Sequence, residues 1–333
     1  MKIAVDAMGG DNAPGEMVRG AVAALAQREL EILLVGLPEE IEKELAPFRN
    51  TVGERIKIVP AADVIGMNES PGRALRQKKQ ASVVIAARLV KEGKAEAFVS
   101  AGNTGATMGA ALFQLGRIKG IKRPAIASPL PTTRGMSLLL DAGANADATP
   151  LYLSQFAQMG AIYSEVVLGV HNPKIGLLNI GSEPEKGNEL SREAYALLDK
   201  LPLNFVGNVE GREITAGAVD IVVCDGFVGN IVLKMIEGLA MAFTIRLKEE
   251  LKLGLRNRLG AALALPAFHK FKGSLDYQEY GGAPLLGVNG VCIIGHGSSN
   301  ARAIENAIGA AVMAIKKDIV AKIVENIRKP EGG

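Results

Sequence analysis

Lys186 is the residue type best suited to hold an anion in this chain, and its setting points the same way. It lies in Gly176–Asn188 (GLLNIGSEPEKGN), where the apolar run Leu177–Ile180 breaks at Gly181. Ser182, a Glu/Pro/Glu cluster, Lys186, Gly187 and Asn188 follow before a helix-like run begins. An apolar strand that ends in glycine and small polar groups ahead of a helix is how α/β proteins build anion sites, with backbone N–H groups facing the ligand. Lys186 adds a full charge and three donors. For one such loop, a solvated lysine is the better reading. The arrangement recurs, however. Ala101–Ala106 carries Gly102, Asn103, Thr104 and Gly105; Asp141–Asn145 ends another strand; Asp225 leads into Gly226–Asn230 with Gly229 and Asn230; Gly295–Asn300 contains His296. Thr104 as a helix cap is a sufficient explanation for Thr104 alone, but not for the two glycines around it.

The elements that must position these loops alternate. Lys2–Asp6, Glu31–Gly36 and Arg55–Pro60 read as strands, with helices at Pro14–Arg28 and Pro38–Phe48 between them. This βαβαβ rhythm predicts a mostly parallel sheet with helices on both faces, a three-layer α/β/α sandwich. Further strands are expected at Ala97–Ser100, Phe205–Asn208, Ala218–Asp225 and Val288–Ile294. The PTTRG turn between Ala125–Leu130 and Ser137–Asp141 predicts a local antiparallel pair. Helices are expected at Ser82–Glu92, at Pro150–Ser164 behind Thr149, at Arg192–Leu201, and from Asn300 to about Ile327. The chain reads as one catalytic unit, 1–333, with an insertion at 246–272.

Composition removes several function classes. With 48% hydrophobic and 22% charged residues the chain is globular and not disordered. Aromatics at 4% and no Trp disfavour a base-stacking surface, and a net charge of +3 is too small to argue for nucleic acid. Cys224 and Cys292 sit in apolar runs without a CxxC or Cys/His cluster, so structural zinc is not expected and a reduced cytosolic setting is. The start, MKIAVDAMGGD, shows no signal-peptide apolar region. No uninterrupted apolar segment reaches the roughly 20 residues that span a bilayer, so the expectation is a soluble or at most membrane-associated protein.

Known nucleotide and nucleophile motifs fail here. Gly295–Asn300 nearly matches G-x-G-x-x-G but ends in Asn, and no second strand with an acidic ribose ligand follows. There is no Walker A and no G-x-S-x-G elbow. His171 and His269 stand far in sequence from any matching Ser/Asp pattern and read as structural. What remains is anion cradling plus an oxyanion donor, which suits transfer between bound substrates. Phosphate is itself a nucleophile, so attack on an activated carbonyl needs no catalytic Ser or Cys.

Two surface stretches stand out. Met67–Gln80 is basic through Arg73, Arg76, Lys78 and Lys79; it reads as a solvated helix face or as a docking patch for an acidic partner. Arg246–Lys272 carries seven basic residues against two acidic ones, with Leu251, Leu255, Leu259 and Leu263 at helical spacing and an apolar tip at Leu259–Phe268. A basic flank with an apolar tip is the composition of an interfacial anchor, and equally of a helix pair packed in a dimer.

With these residues in view, the chain resembles the PlsX family of phosphate acyltransferases. The resemblance spans the whole chain through Asp6–Asp11 (DAMGGD), Ser100–Ala106 (SAGNTGA), Leu139–Asn145 (LLDAGAN), Asn179–Asn188 (NIGSEPEKGN), Asn208–Gly211 (NVEG), Val223–Asn230 (VCDGFVGN) and Glu279–Gly287 (EYGGAPLLG). It implies a fold similar to the isopropylmalate dehydrogenase/phosphotransacetylase group, and a homodimer in the cytoplasm that visits the membrane surface. It also implies transfer of a fatty acyl group from acyl carrier protein to inorganic phosphate, feeding a glycerol-3-phosphate acyltransferase in phospholipid synthesis. No metal or organic cofactor is expected. On that reading Lys186 binds phosphate or the developing oxyanion, and Asn230 orients the thioester carbonyl. Gly102, Asn103, Thr104 and Gly105 cradle phosphate with Ser182, Gly229 and His296 nearby. The acyl chain runs toward Leu255, Leu259, Leu263, Leu265 and Phe268. Arg73, Arg76, Lys78 and Lys79, or Arg256 and Arg258, meet the acidic carrier. Three rivals stay open: a short-chain phosphate acetyl- or butyryltransferase using coenzyme A, a non-catalytic membrane-recruited scaffold, and a decarboxylating dehydrogenase.

Overall fold

The computed structural model describes residues 1–254, 256–261, 263, 264, 266 and 281–327. Eleven strands form one sheet: β1 (Lys2–Asp6), β2 (Glu31–Gly36), β3 (Ile56–Pro60), β4 (Ala97–Ser100), β5 (Ala125–Thr132), β6 (Gly135–Leu140), β7 (Ile175–Leu178), β8 (Phe205–Val209), β9 (Ile221–Val223), β10 (Ala283–Leu286) and β11 (Val291–Ile294). Their order is β3-β2-β1-β4-β11-β10-β5-β6-β9-β7-β8. The strands from β3 to β11 run parallel to one another, as do β6, β9, β7 and β8. Between these sets β10 and β5 reverse direction, pairing antiparallel with β11, with each other and with β6. The sheet is therefore mostly parallel, as expected, but built from two parallel halves of opposite sense.

Both faces are covered, and the strands show why. In β2, Ile32 and Leu34 join one apolar cluster while Leu33 and Val35 join the other; in β9, Ile221 and Val223 face one way and Val222 the other. Side chains alternate across a strand, so strands buried on both faces read as continuous apolar runs. The first cluster takes in Phe156 and Ile304 from the helices Pro150–Tyr163 and Ala301–Lys316; the second takes Val84 and Ala110 from Ser82–Lys91 and Thr104–Gln114. That is the three-layer arrangement.

Several boundaries differ from the sequence expectation. The β9 strand is three residues where an eight-residue run was expected; at its C-terminal end Asp225 leaves the sheet to cap a helix. The helix expected at Arg192–Leu201 occupies Glu189–Leu198, since the Asn188 side chain accepts the Ser191 N–H at 2.9 Å and starts it early. The terminal helix breaks into Ala301–Lys316 and Ile319–Asn326 at Asp318, whose φ is 49°. The strand β10 and the short helix Gly211–Ala216 had no expected counterpart.

The helix Gly226–Lys252 is 27 residues long, and only Gly226 and Gly229 are buried in it. By length and composition alone it is apolar enough to cross a bilayer. A count of uninterrupted apolar residues missed it because Lys234 and Glu237 divide the run. Phe227, Ile231, Met235, Leu239, Phe243 and Leu247 recur every fourth residue along it, and all are exposed. Residues 256–261 continue as helix, with Leu259 and Leu263 exposed. Leu255, Leu265, Phe268, His269, Lys270, Lys272 and Glu279–Tyr280 lie outside the described residues.

Candidate functional site

The carboxyl ends of the strands carry two clusters. At the first, β1, β4 and β11 end side by side, with Ile294 in register with Ser100. Asp6 is buried there and accepts the Ser100 Oγ–H at 2.7 Å and the Met8 N–H at 3.3 Å. Burial pushes its pKa up, while hydrogen bonds from Ser82, Ser100 and Met8 pull it down. The turn after it passes very close to the next strand end: a β carbon at Gly9 would lie 2.7 Å from both Asp6 Oδ2 and Gly102 N. Gly10, at φ 112°, lets the Asp11 N–H reach the Gly297 carbonyl at 2.8 Å.

Asn103 starts the helix Thr104–Gln114. Its Oδ1 accepts the Ala106 N–H at 3.0 Å, and its Nδ2 donates to the carbonyls of Met67 and Glu69 at 2.9 and 3.1 Å. The side chain is thus engaged in tying the loop at 67–69 to the helix start. Gly102 and Gly105 have a packing reason for lacking a side chain: Gly102 faces Gly9 and Asp6, and a β carbon at Gly105 would meet the Pro71 ring at 2.6 Å. Thr104 is exposed at the first turn, beside the free backbone N–H groups of the helix.

At the second cluster, β6, β9 and β7 end together. Asp141 is fully buried, and its carboxylate accepts N–H groups of Ile126, Ala144 and Asn145 and the Asn145 side-chain amide at 2.7–3.1 Å. Burial raises its pKa against the pull of these four donors. Asn145 also donates to the Pro124 carbonyl at 2.7 Å, so the 141–145 loop is pinned. The helix Gly226–Lys252 starts against it. Asp225 caps the Val228 N–H at 2.9 Å, Gly226 N–H donates to the Asn145 carbonyl at 2.8 Å, and a β carbon at Gly229 would land on the Asp141 carbonyl oxygen. Cys224 packs beneath; burial pushes its thiol pKa, like that of Cys292, well up, which keeps both protonated and inert.

The loop bearing Lys186 follows β7, whose Leu177 is in register with Val223 of β9, so the loops 179–188 and 225–230 leave the sheet as neighbours. Asn179 Nδ2 donates to the Lys186 carbonyl at 3.0 Å and Asn208 Nδ2 to the Glu183 carbonyl at 2.7 Å. Ser182 and Lys186 stand exposed on this braced loop. Asn208 Oδ1 is buried without a partner. No hydrogen bond joins Lys186 to Asn230 among the described residues.

One helical face bridges the two clusters. Asn230 lies against the 141–145 loop, with its Oδ1 3.5 Å from where a Gly143 β carbon would stand. One turn on, Lys234 Nζ is 2.8 Å from His296 Nε2 and donates to Glu237 Oε2 at 2.8 Å. Residues at i, i+4 and i+7 share a face, so Asn230, Lys234 and Glu237 point the same way. On the other side of the ring, Nδ1 lies 2.8 Å from Ser298 Oγ and accepts the Ser298 N–H at 3.2 Å. Burial and the Lys234 charge hold the His296 pKa below its ordinary value of 6.5, so the ring is neutral at pH 7. Sequence reasoning placed Asn230 and His296 but missed Lys234 and Glu237. Their signal was available: two charges one helical turn apart in an otherwise apolar run after the Asp225–Asn230 junction.

Two glycine-walled strand-end clusters, bridged by Lys234, sit on a mixed α/β sheet of the phosphotransacetylase fold group. A phosphotransacetylase from Streptococcus pyogenes has this fold with a TM-score of 0.64 at 20% identity, covering 96% of this chain and 94% of its own. A branched-chain phosphotransacylase from Enterococcus faecalis matches with a TM-score of 0.58 at 16% identity, covering 95% and 99%. At those identities the likeness concerns fold. Residues 1–322 match the family described as fatty acid synthesis protein. A phosphate acyltransferase of Heliobacterium modesticaldum is 56% identical over 327 residues, 98% of both chains, and one of Moorella thermoacetica is 56% identical over 320 residues, 96% of this chain and 94% of its own. The chain belongs to the PlsX family of phosphate acyltransferases, the acyltransferases of fatty acid synthesis.

Proposed function

We propose that this enzyme transfers a fatty acyl group from acyl carrier protein to inorganic phosphate. A phosphate oxygen attacks the thioester carbonyl, the carbon–sulfur bond breaks, and the proton of hydrogen phosphate ends on the departing thiol, leaving an acyl phosphate. The observation that carries this reading is the helical face Asn230–Lys234–Glu237, which sets an amide donor and a held ammonium between the 141–145 loop and His296. Asn230 donates to the carbonyl oxygen as it gains charge. Lys234, fixed by Glu237, and Lys186, on its braced loop, neutralise the phosphate and the oxyanion. The backbone at Gly102–Gly105, Thr104 and Ser182 completes the anion cradle. Gly229 lets the helix approach the Asp141 carbonyl closely enough to present Asn230.

The exposed apolar residues of Gly226–Lys252, with Leu259 and Leu263 beyond, favour a homodimer through this helix, with the 246–272 segment reaching a membrane surface and offering an apolar sleeve for the acyl chain. The product is then delivered in the cytoplasm, beside the membrane, to a glycerol-3-phosphate acyltransferase. The same segment favours a long-chain donor over the short-chain coenzyme A alternative. The test is incubation of the purified enzyme with acyl carrier protein thioester and phosphate, trapping acyl phosphate with hydroxylamine. Hydroxamate that depends on both substrates supports the reading. Formation only from short acyl-coenzyme A would replace it.

A further inference from the structure

The helices Pro71–Gln77, Ser82–Lys91 and Thr104–Gln114 enclose an open groove of about 220 Å³ on the surface next to the first cluster. Leu75, Val84, Ala110 and Phe113 form its apolar walls, and Lys79 and Arg88 stand at its rim. The sequence builds it with small residues. Gly105 and Gly109 admit Pro71 and Leu75 against the helix Thr104–Gln114 at one end. At the other end Phe113 projects, 73% exposed. Arg88 is fixed by donating to the Lys79 carbonyl at 2.9 Å.

The charge around this groove is mostly basic, flanked by Glu69 beside Lys78 and by Glu92, which feels the Arg88 charge. Residues 70–91 contain Arg73, Arg76, Lys78, Lys79, Arg88 and Lys91 and no Asp or Glu; residues 104–123 add Arg117, Lys119, Lys122 and Arg123, again with no acid. Lys78 is bound to Glu69 at 2.6 Å, but among the described residues no carboxylate lies within ion-pair distance of Arg73, Arg76, Lys79 or Arg88. Unpaired cations around a concave apolar groove suit an acidic protein surface with an apolar side chain to insert. A lipid surface calls instead for protruding apolar groups, and here only Phe113 projects. The position is also informative. The groove lies along the helix whose first turn, at Asn103 and Thr104, belongs to the first cluster. Nine residues of helix separate Thr104 from Phe113, about 14 Å at 1.5 Å per residue, so a thioester on a flexible arm of a partner docked here reaches the strand ends.

We infer that this groove is the docking surface for the acidic carrier protein that bears the acyl thioester, with Arg73, Arg76, Lys79 and Arg88 meeting its carboxylates and Phe113 its apolar contact. The inference rests on the reading that the donor is protein-borne, and the experiment separates the two. Steady-state kinetics would compare the acyl group on carrier protein with the same group on free pantetheine, for the full-length enzyme and for Arg76→Glu, Lys79→Glu and Phe113→Ser, all at exposed positions. The expected result is a rise in KM for the carrier-borne donor of about tenfold per charge reversal, with kcat and the pantetheine reaction unchanged. The wild-type KM should climb with salt and the variants' KM less so. Wild-type turnover with unaltered KM in all three variants overturns the docking surface and leaves the proposed reaction standing. A wild-type enzyme that uses pantetheine thioester but not the carrier overturns both. Loss of binding to phosphatidylglycerol vesicles in the variants, with the carrier KM intact, makes the groove a lipid surface and overturns the proposal.

Discussion

In the proposed reaction Lys186 and Asn230 present charge and an N–H where the thioester carbonyl becomes an oxyanion, and removal of such a donor typically costs roughly a hundredfold or more in rate. Lys186→Ala and Asn230→Ala are each expected to lower phosphate-dependent kcat by about that factor while circular dichroism stays native. His296 gives a pH signature. Its folded pKa lies below the ordinary 6.5, because burial and the Lys234 ammonium disfavour its charge. A depressed pKa means that the neutral ring's contribution is complete above 6.5 and is lost as pH falls through the folded value. Below that point the imidazolium repels Lys234. The expected acid limb of kcat/KM therefore has a midpoint under 6.5, and His296→Gln removes it; an unchanged limb in that variant would assign it elsewhere. Lys186, Asn230 and His296 stand out in the sequence as candidates because each follows a strand and a glycine. Lys234 was not, since its importance depends on which loop the helix crosses.

The helix Gly226–Lys252 is the element on which the site depends. It can lie against the 141–145 loop only because Gly226 and Gly229 have no side chains there. Gly229→Ala forces a methyl onto the Asp141 carbonyl, so the helix must shift. Overpacking of this kind costs typically 1–3 kcal/mol, and a lower melting temperature together with loss of turnover is expected. Equal activity and stability would show that the contact is not needed. Glycines at 102 and 105 had suggested an open backbone for an anion; the structure gives them close approaches to Gly9 and Pro71 as well. Motif spacing locates such glycines but cannot say what crosses them, because the partner comes from a distant part of the chain. Strand periodicity served well where both faces are buried, as in β1, β2 and β4. It failed at β10, a four-residue strand whose pairing between β11 and β5 is a tertiary fact.

The whole molecule is a sheet of two parallel halves of opposite sense, and the sequence announced the parallel strands and the antiparallel pair of β5 with β6, but not β10, which joins that pair to β11. Six exposed apolar residues at four-residue intervals from Phe227 to Leu247 leave a surface that a second copy would cover in the proposed dimer. Light scattering of the pure protein is expected to give a dimer mass, and Met235→Glu with Phe243→Glu a monomer; a wild-type monomer at micromolar concentration would remove that part of the proposal. In the proposed mechanism one helical face joins the two strand-end clusters into a single phosphate-using site through Lys234. The measurement is phosphate-dependent acyl-phosphate formation by Lys234→Met, with the melting temperature recorded alongside. A folded variant whose kcat falls by about a hundredfold or more is the result expected. A folded variant that keeps turnover within about twofold of wild type, well short of the loss of a transition-state donor, would contradict it.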